Sequence, residues 1–360
     1  MFLTIIIAFI SLMGLVILHE FGHFFVAKRF GVKVEEFGIG YPPRLFGKKI
    51  GETLYSINLL PFGAFVKMPG EIERLEDSRS FSKKSVWQRA LIVIAGVLAF
   101  WIVSAVLFSI VISLGVPTAI PDEDTGGVLN PRVQIAAVAK NSPAESSGIK
   151  IGDSIIEIKD SDGKFKPVDK IKETQNLIEQ FRGKELTMKM ERGKEIFTVA
   201  LSPRKNPPSG EGPLGVALVR VGLKSYPWWQ APWQGVLTTV NLTGAVILGY
   251  GQAIANIFRG LPSGVELMGP VGIVSLFGQF GKLGINYFLQ FVGMIAIYIA
   301  VFNILPIPAV DGGKLLFLTI EAVRKKPVSP KIEQSVSTVF FGLLILLMIF
   351  VTVKDVIRIF

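Results

Sequence analysis

The sequence predicts a polytopic α-helical membrane protein with about four transmembrane helices and a soluble α+β domain inserted between the second and the third. Three observations lead there. Half of the 360 residues are hydrophobic and only 18% are charged, against about a quarter charged in ordinary soluble domains. The uncharged residues are gathered into blocks at 1–18, 90–121, 230–258, 283–310 and 335–353, and most of these reach the roughly 20 apolar residues that cross a bilayer. Between the second and third blocks the pattern changes to the alternation and helical spacing of a folded module.

Residues 1–116 hold the first two spans. No Lys or Arg precedes the first apolar run and no small-residue cleavage site follows it, so it reads as a retained span rather than a cleaved leader. Twelve Lys/Arg face seven Asp/Glu between Lys28 and Arg89, and the loop after Val310 adds Lys314, Arg324, Lys325, Lys326 and Lys331. By the positive-inside rule both stretches are cytoplasmic. The formal charge of +10 is therefore a topology signal, and the partner it implies is a lipid bilayer, with no nucleic acid. The absence of cysteine excludes disulfides and thiolate metal sites.

The soluble module runs over 126–204. VQIAAVAK and DSIIEIKD alternate as strands, VDKIKETQNLIEQF has helical spacing, and ELTMKMERGKEIFTVAL reads as a hairpin turning at Arg192-Gly193-Lys194. NPPSGEGP opens a linker and membrane-surface region, 205–284. Within it 230–258 is uncharged, yet it opens with Trp228, Trp229 and Trp233 and carries Thr238, Thr239, Asn241 and Thr243. Aromatics favour the membrane interface, so this stretch reads as a surface or partly embedded helix. Residues 285–360 supply spans three and four.

The only two histidines, His19 and His23, lie in the first span in HEFGH. Residues four apart share a helix face, so both imidazoles can grip one ion. Glu20 follows the first and can deprotonate a water whose pKa a metal such as Zn²⁺ brings towards neutrality. An ionisable group at membrane depth costs a few kcal/mol and is functional by default. Catalytic zinc takes three protein ligands. With no third histidine or cysteine, the best candidate is Asp311, which ends NILPIPAVDGG. Pro306 and Pro308 cannot continue a helix, Asn303 adds an amide, and Gly312 and Gly313 permit close backbone approach. With four spans, the late ends of spans one and three both face the cytoplasm, where these groups can meet. If 230–258 also crossed, Asp311 would emerge on the opposite side.

HEFGH in the first span, NILPIPAVDGG in the third and the insert containing NSPAESSGIKIGD together resemble the site-2 protease family of intramembrane zinc metalloproteases, most closely its regulator-of-sigma-E branch. The resemblance implies that His19, His23 and Asp311 bind Zn²⁺ and that Glu20 is the catalytic base. FGIGYPPRLF and LLPFGAFVKMPGE resemble the family's membrane-associated re-entrant β-loop, here 32–70, with Gly38, Gly40 and Gly63 at its bends. Asn303, Pro306, Gly63 and Phe65 would then contact substrate, and an exposed edge would accept it by strand addition. The insert resembles one PDZ domain where many relatives carry two. It would lie outside the cytoplasm, either excluding bulky substrates or binding a peptide ligand. Relatives often show Gly-Pro and a nearby Asn in span two; AGVLAFW places Val97 and Phe100 there. The implied function is hydrolysis of single-span transmembrane substrates such as anti-sigma factors and signal-peptide remnants, in a bacterial plasma membrane. The rival readings are a non-proteolytic scaffold or metal transporter with a peptide-binding PDZ module, and a tethered metalloprotease acting on soluble proteins. A transporter needs polar ligands along a path, and the uncharged spans offer few.

Overall fold

The computed structural model describes residues 2–359 apart from 74, 124–128, 194, 209 and 262–267. Gly126, Lys194 and Ser209, which the sequence reading used as a module boundary, a turn and a linker residue, lie outside the described residues. The chain begins α1 (Phe2–Arg29), β1 (Glu36–Ile50), β2 (Thr53–Lys67), α2 (Val86–Leu114), β3 (Val116–Ala119) and β4 (Leu129–Val138). It continues α3 (Pro143–Ser146), β5 (Ser154–Lys159), β6 (Phe165–Pro167), α4 (Ile171–Gln180), β7 (Leu186–Arg192), β8 (Glu195–Leu201) and β9 (Val216–Lys224). It ends α5 (Ala231–Phe258), α6 (Pro270–Leu283), α7 (Ile285–Ile304), α8 (Asp311–Arg324) and α9 (Pro330–Ile359). Two compact units result: Met1–Phe108 with Trp233–Gly278 and Phe291–Phe360, and Ser109–Pro232 with Gln279–Gln290.

Among the described residues four helices are long and apolar enough to span a membrane: Leu3–Arg29, Val86–Leu114, Ile285–Ile304 and Pro330–Ile357. The shortest has 20 residues and reaches about 30 Å, the thickness of the hydrocarbon core. Although α5 has 28 residues, its Thr, Asn, Gln and Gly content keeps it out of this set. Trp228, Trp229 and Trp233 at its start are all exposed. With 14 residues, about 21 Å, α6 is too short to cross. The stretch after Val310, read as a loop, is helical as α8.

The first unit is organised around the C-terminal end of α1. Phe37 of β1 is in register with both Tyr55 and Val66 of β2, and Gly38 with both Ser56 and Phe65. The two long strands therefore bend so that β1 starts in the middle of the hairpin. Gly40 and Gly63 stand at the bends with φ of 76° and 83°, a region open to glycine and costly for other residues. Glu52 at the hairpin turn accepts from Lys28 at 2.8 Å and from Arg79 at 2.7 Å. The Lys28 bond, then the Arg79 bond, bring its pKa down to about 2. This tie is complete above about pH 4.5 and disappears as pH falls towards 2. Ala27, Val32, Phe37, Val66, Met68, Phe81, Ile92 and Leu318 form the core beneath it, joining α1, the hairpin, α2 and α8.

Helices α1 and α2 cross closely because glycines face each other: a Cβ at Gly22 would lie 2.4 Å from the Ala95 carbonyl oxygen. Small residues at a crossing are the usual device for close helix packing in lipid. On α2, Ser104 donates to the Gly293 carbonyl of α7 at 3.0 Å.

The second unit is a seven-stranded sheet in the order β3-β9-β4-β5-β7-β8, with β6 paired to β5. The alternating segments at β4 and β5, the helix α4 and the β7–β8 hairpin all form where periodicity put them. Strands on both sides of the 126–204 stretch join the sheet as well. β9 pairs with β4 and β3, so the Pro/Gly/Ser-rich 206–213 segment connects two strands of one sheet. The turn after Ile151 is fixed by buried Asp153, which takes Arg192 Nε at 2.6 Å and Nη2 at 2.7 Å. Ile135, Ile155, Leu186, Met188 and Leu214 fill the core. Leu186 is fully buried, so Leu186→Ala should cost roughly 2–5 kcal/mol, read as a lower urea midpoint with an unchanged slope.

Candidate metal centre

His19 and His23 stand one turn apart on α1, and both are buried. Asp311 opens α8, immediately after the Pro306–Pro308 break that ends α7. Gly312 and Gly313 explain how that turn closes. A Cβ at Gly312 would fall 2.0 Å from the Leu305 carbonyl oxygen, and one at Gly313 2.4 Å from that of Ile307. Only glycine lets the first turn of α8 fold back onto this segment.

Three donor atoms converge. His19 Nε2 and His23 Nε2 are 3.2 Å apart, and Asp311 Oδ2 is 3.3 Å from the first and 3.4 Å from the second. Donors held tetrahedrally at the about 2.0–2.1 Å of zinc–nitrogen and zinc–oxygen bonds would be about 3.3–3.4 Å apart. Asp311 Oδ2 is also buried without a hydrogen-bond partner, an expensive condition for a carboxylate oxygen unless a cation meets it. The donor set and its spacing fit a zinc ion.

The surroundings orient these donors. His23 Nδ1 is 2.9 Å from the Ile92 carbonyl of α2. A carbonyl can only accept, so Nδ1 carries the proton and the Nε2 lone pair faces the other donors. Gly96 backs both rings: a Cβ there would lie 2.3 Å from His23 Nε2 and 2.7 Å from His19 Cε1. A carboxylate oxygen of Glu20 lies within 4.8 Å of the imidazole donors.

A cavity of about 670 Å³ opens on this group. Its walls include His19, Glu20 and Asp311, with Tyr41 and Gly63 from the hairpin, Asn303 and Pro308 from the α7 end, and one face of α9. Of the substrate contacts predicted from sequence, Gly63 and Asn303 line this space, while Pro306 and Phe65 do not. Phe65 instead stacks on Tyr41, ring centroids 6.2 Å apart. The Asn303 amide donates to the Ile299 carbonyl at 3.0 Å. Beside Asp311, Lys314 pairs with Glu71 of the segment after β2.

Sequence reasoning missed several contributors. Gly96 and Phe100 lie in AGVLAFW, which the sequence marks only as a departure from relatives, and nothing local tells that they back the two histidines. The α9 face of Glu333, Gln334, Ser337 and Thr338 was visible in principle, because polar residues at helical spacing in a span usually face a cavity.

Comparison with known sequences agrees with this chemistry. A sequence profile described as Peptidase family M50 matches residues 7–347. The chain is 35% identical to a putative zinc metalloprotease of Clostridium perfringens over 98% of both chains. It is 30% identical to the zinc metalloprotease RasP of Geobacillus kaustophilus, covering 99% of this chain and 98% of the relative. To the regulator of sigma-W protease RasP of Bacillus subtilis it is 27% identical over the full length of both. With four candidate spans and a histidine–carboxylate donor set, the chain belongs to peptidase family M50, the site-2 proteases, and is an intramembrane zinc metalloprotease.

Proposed function

We propose that His19, His23 and Asp311 hold the zinc ion and that Glu20 is the general base in hydrolysis of peptide bonds within single-span transmembrane segments. The observation that carries this reading is the convergence of three donor atoms 3.2–3.4 Å apart, around a carboxylate oxygen with no other partner. Zinc supplies Lewis-acid polarisation of a water and of the scissile carbonyl. Glu20 takes the proton from the attacking water and delivers it to the departing amine nitrogen. The amide of Asn303 and the backbone around Gly63 contact the substrate main chain. A helical substrate hides its carbonyls in i→i−4 hydrogen bonds, so it enters as an unwound strand, for which Pro306 holds the neighbouring turn open and Phe65 steadies Tyr41 at the wall. A relative named a regulator of sigma-W protease is in keeping with anti-sigma factors as one substrate class, beside signal-peptide remnants. The test is purified protein with a tagged single-span peptide. Product masses should place the cut inside or beside the apolar segment, and cleavage confined to its soluble flanks would reject the reading.

The topology belongs to the same proposal. The chain starts outside the cytoplasm in a bacterial plasma membrane, crosses four times and keeps 230–258 at the membrane surface. Single cysteines at Ser78 and Ser329 should label only from the cytoplasmic side, and one at Ser161 only from outside. The native chain has no cysteine, so background labelling is absent. Opposite-side labelling of Ser78 and Ser329 would overturn the four-span arrangement.

The inserted module is proposed to be a single PDZ-like domain, extracytoplasmic, that excludes substrates with bulky external domains. In support, α4 packs against β9, and β3 covers β9 only over Val221–Lys224, leaving the start of β9 with one paired neighbour among the described residues. Replacing 116–224 by a flexible linker should lower the ratio of cleavage rates, trimmed over untrimmed substrate. An unchanged ratio counts against exclusion. Exclusion requires untrimmed substrate to become cleavable with trimmed-substrate cleavage retained; slower cleavage of trimmed substrate with untrimmed substrate still uncut would favour peptide recruitment along the β9 edge.

A further inference from the structure

The two histidines of the centre are held in different ways. His23 follows the usual arrangement, its outer ring nitrogen bonded to the Ile92 carbonyl at 2.9 Å. His19 does not. Its Nδ1 is buried without a well-formed hydrogen bond, and the backbone of Gly96 offers it only a weak polar contact. Something else must fix the plane of this ring, because an imidazole free to rotate would carry its Nε2 away from the other two donors.

Phe100 is in place to do so. Its ring lies nearly parallel to that of His19, 19° between planes with centroids 4.7 Å apart, within the range of favourable offset stacking. Phe100 is only 1% exposed, so its own rotamer is locked by packing. Gly96 sits one helical turn earlier on the same face of α2 and receives the opposite edges of both imidazoles. With a Cβ there 2.3 Å from His23 Nε2 and 2.7 Å from His19 Cε1, any other residue would push the rings out. The two residues form a socket: a flat ring on one side of His19 and an absent side chain behind both donors.

We propose that Phe100 and Gly96 are positioning residues of the metal centre, with Phe100 fixing by stacking the His19 ring that its outer nitrogen holds only weakly. The proposal rests on His19, His23 and Asp311 being the zinc ligands. It gives α2 a role in metal affinity that its sequence does not announce. Outer partners of metal-bound histidines typically carry about 10–100-fold in metal affinity, and the stack should fall in that range.

The test uses the full-length protein in detergent, with zinc affinity read by competition against a chromophoric chelator and ligand geometry by the visible spectrum of the Co²⁺-substituted form. Phe100→Leu keeps apolar volume and removes the ring face. It should weaken zinc binding about 10–100-fold and alter the Co²⁺ bands, with the thermal midpoint of the chelated protein little changed. Phe100→Tyr keeps the stack and should restore both. Should Phe100→Leu not fold, Phe100→Met carries the same comparison. Gly96→Ala should weaken binding in the same assay, while Gly14→Ala, with nothing within 4 Å of the added methyl, should not. Wild-type affinity and an unchanged Co²⁺ spectrum in Phe100→Leu would overturn the proposal and leave the ligand assignment standing. A wild-type protein that binds no stoichiometric zinc would overturn both.

Discussion

Glu20→Gln should retain one zinc per chain and lose at least about 10²-fold, towards 10⁴-fold, in the rate of peptide cleavage, the range usual for a positioned general acid–base group. The amide keeps the size and shape of the side chain and removes its basicity. Its carboxylate reaches to within 4.8 Å of the imidazole donors on the wall of the cavity, where it can accept a proton from an attacking water and pass it on. Lys314 and Glu71 are paired with each other, and the Asn303 amide is engaged with its own helix. Single-turnover cleavage of a tagged transmembrane peptide, with metal content measured on the same sample, checks the prediction. Substantial residual turnover in a metal-replete mutant would remove Glu20 from the role of base.

His23→Ala has a larger expected consequence, because it removes a donor and leaves another without support. The remaining pair, His19 Nε2 and Asp311 Oδ2 at 3.3 Å, is one short of the three protein ligands that catalytic zinc ordinarily takes. Metal content should fall from one equivalent to near zero, and cleavage should become undetectable even with added zinc at micromolar levels. The protein should still fold, because the surrounding core of Ala27, Val32, Phe37 and Ile92 does not include the imidazole. Metal analysis after dialysis, with circular dichroism as the folding control, reads both outcomes.

The groups proposed to be reactive were legible in the sequence for a physical reason. Ionisable side chains are costly at membrane depth, so HEFGH stood out against its apolar flanks, and Asp311 stood out beyond Asn303 and the two prolines. Gly312 and Gly313 were readable as sites of backbone approach, and the contacts at Leu305 and Ile307 supply the reason. The four candidate spans followed from apolar length, since a bilayer fixes how long an apolar block must be. Strand and helix within the module followed from period alone.

What periodicity missed was non-local. β9 joins the sheet across a segment whose Pro, Gly and Ser composition marks only a local break in structure, and its partners on β4 lie some 80 residues earlier in the chain. The helix α8 was hidden by its basic residues, which read as a topology signal and say nothing about backbone conformation. Pro306 and Phe65, expected to contact substrate, are not among the residues lining the cavity. Phe100 shows the limit most clearly. A phenylalanine in a span is unremarkable until its ring is found parallel to that of His19.

X-ray absorption at the zinc edge of the purified wild-type protein, compared with Asp311→Ala, tests the central claim most directly. The account predicts one zinc per chain in a four-coordinate shell of nitrogen and oxygen at about 2.0–2.1 Å, with the scattering signature of two imidazoles and no sulfur, and a disrupted shell or lost metal in the variant. A wild-type shell lacking imidazole, or one left unchanged when Asp311 is removed, would contradict it.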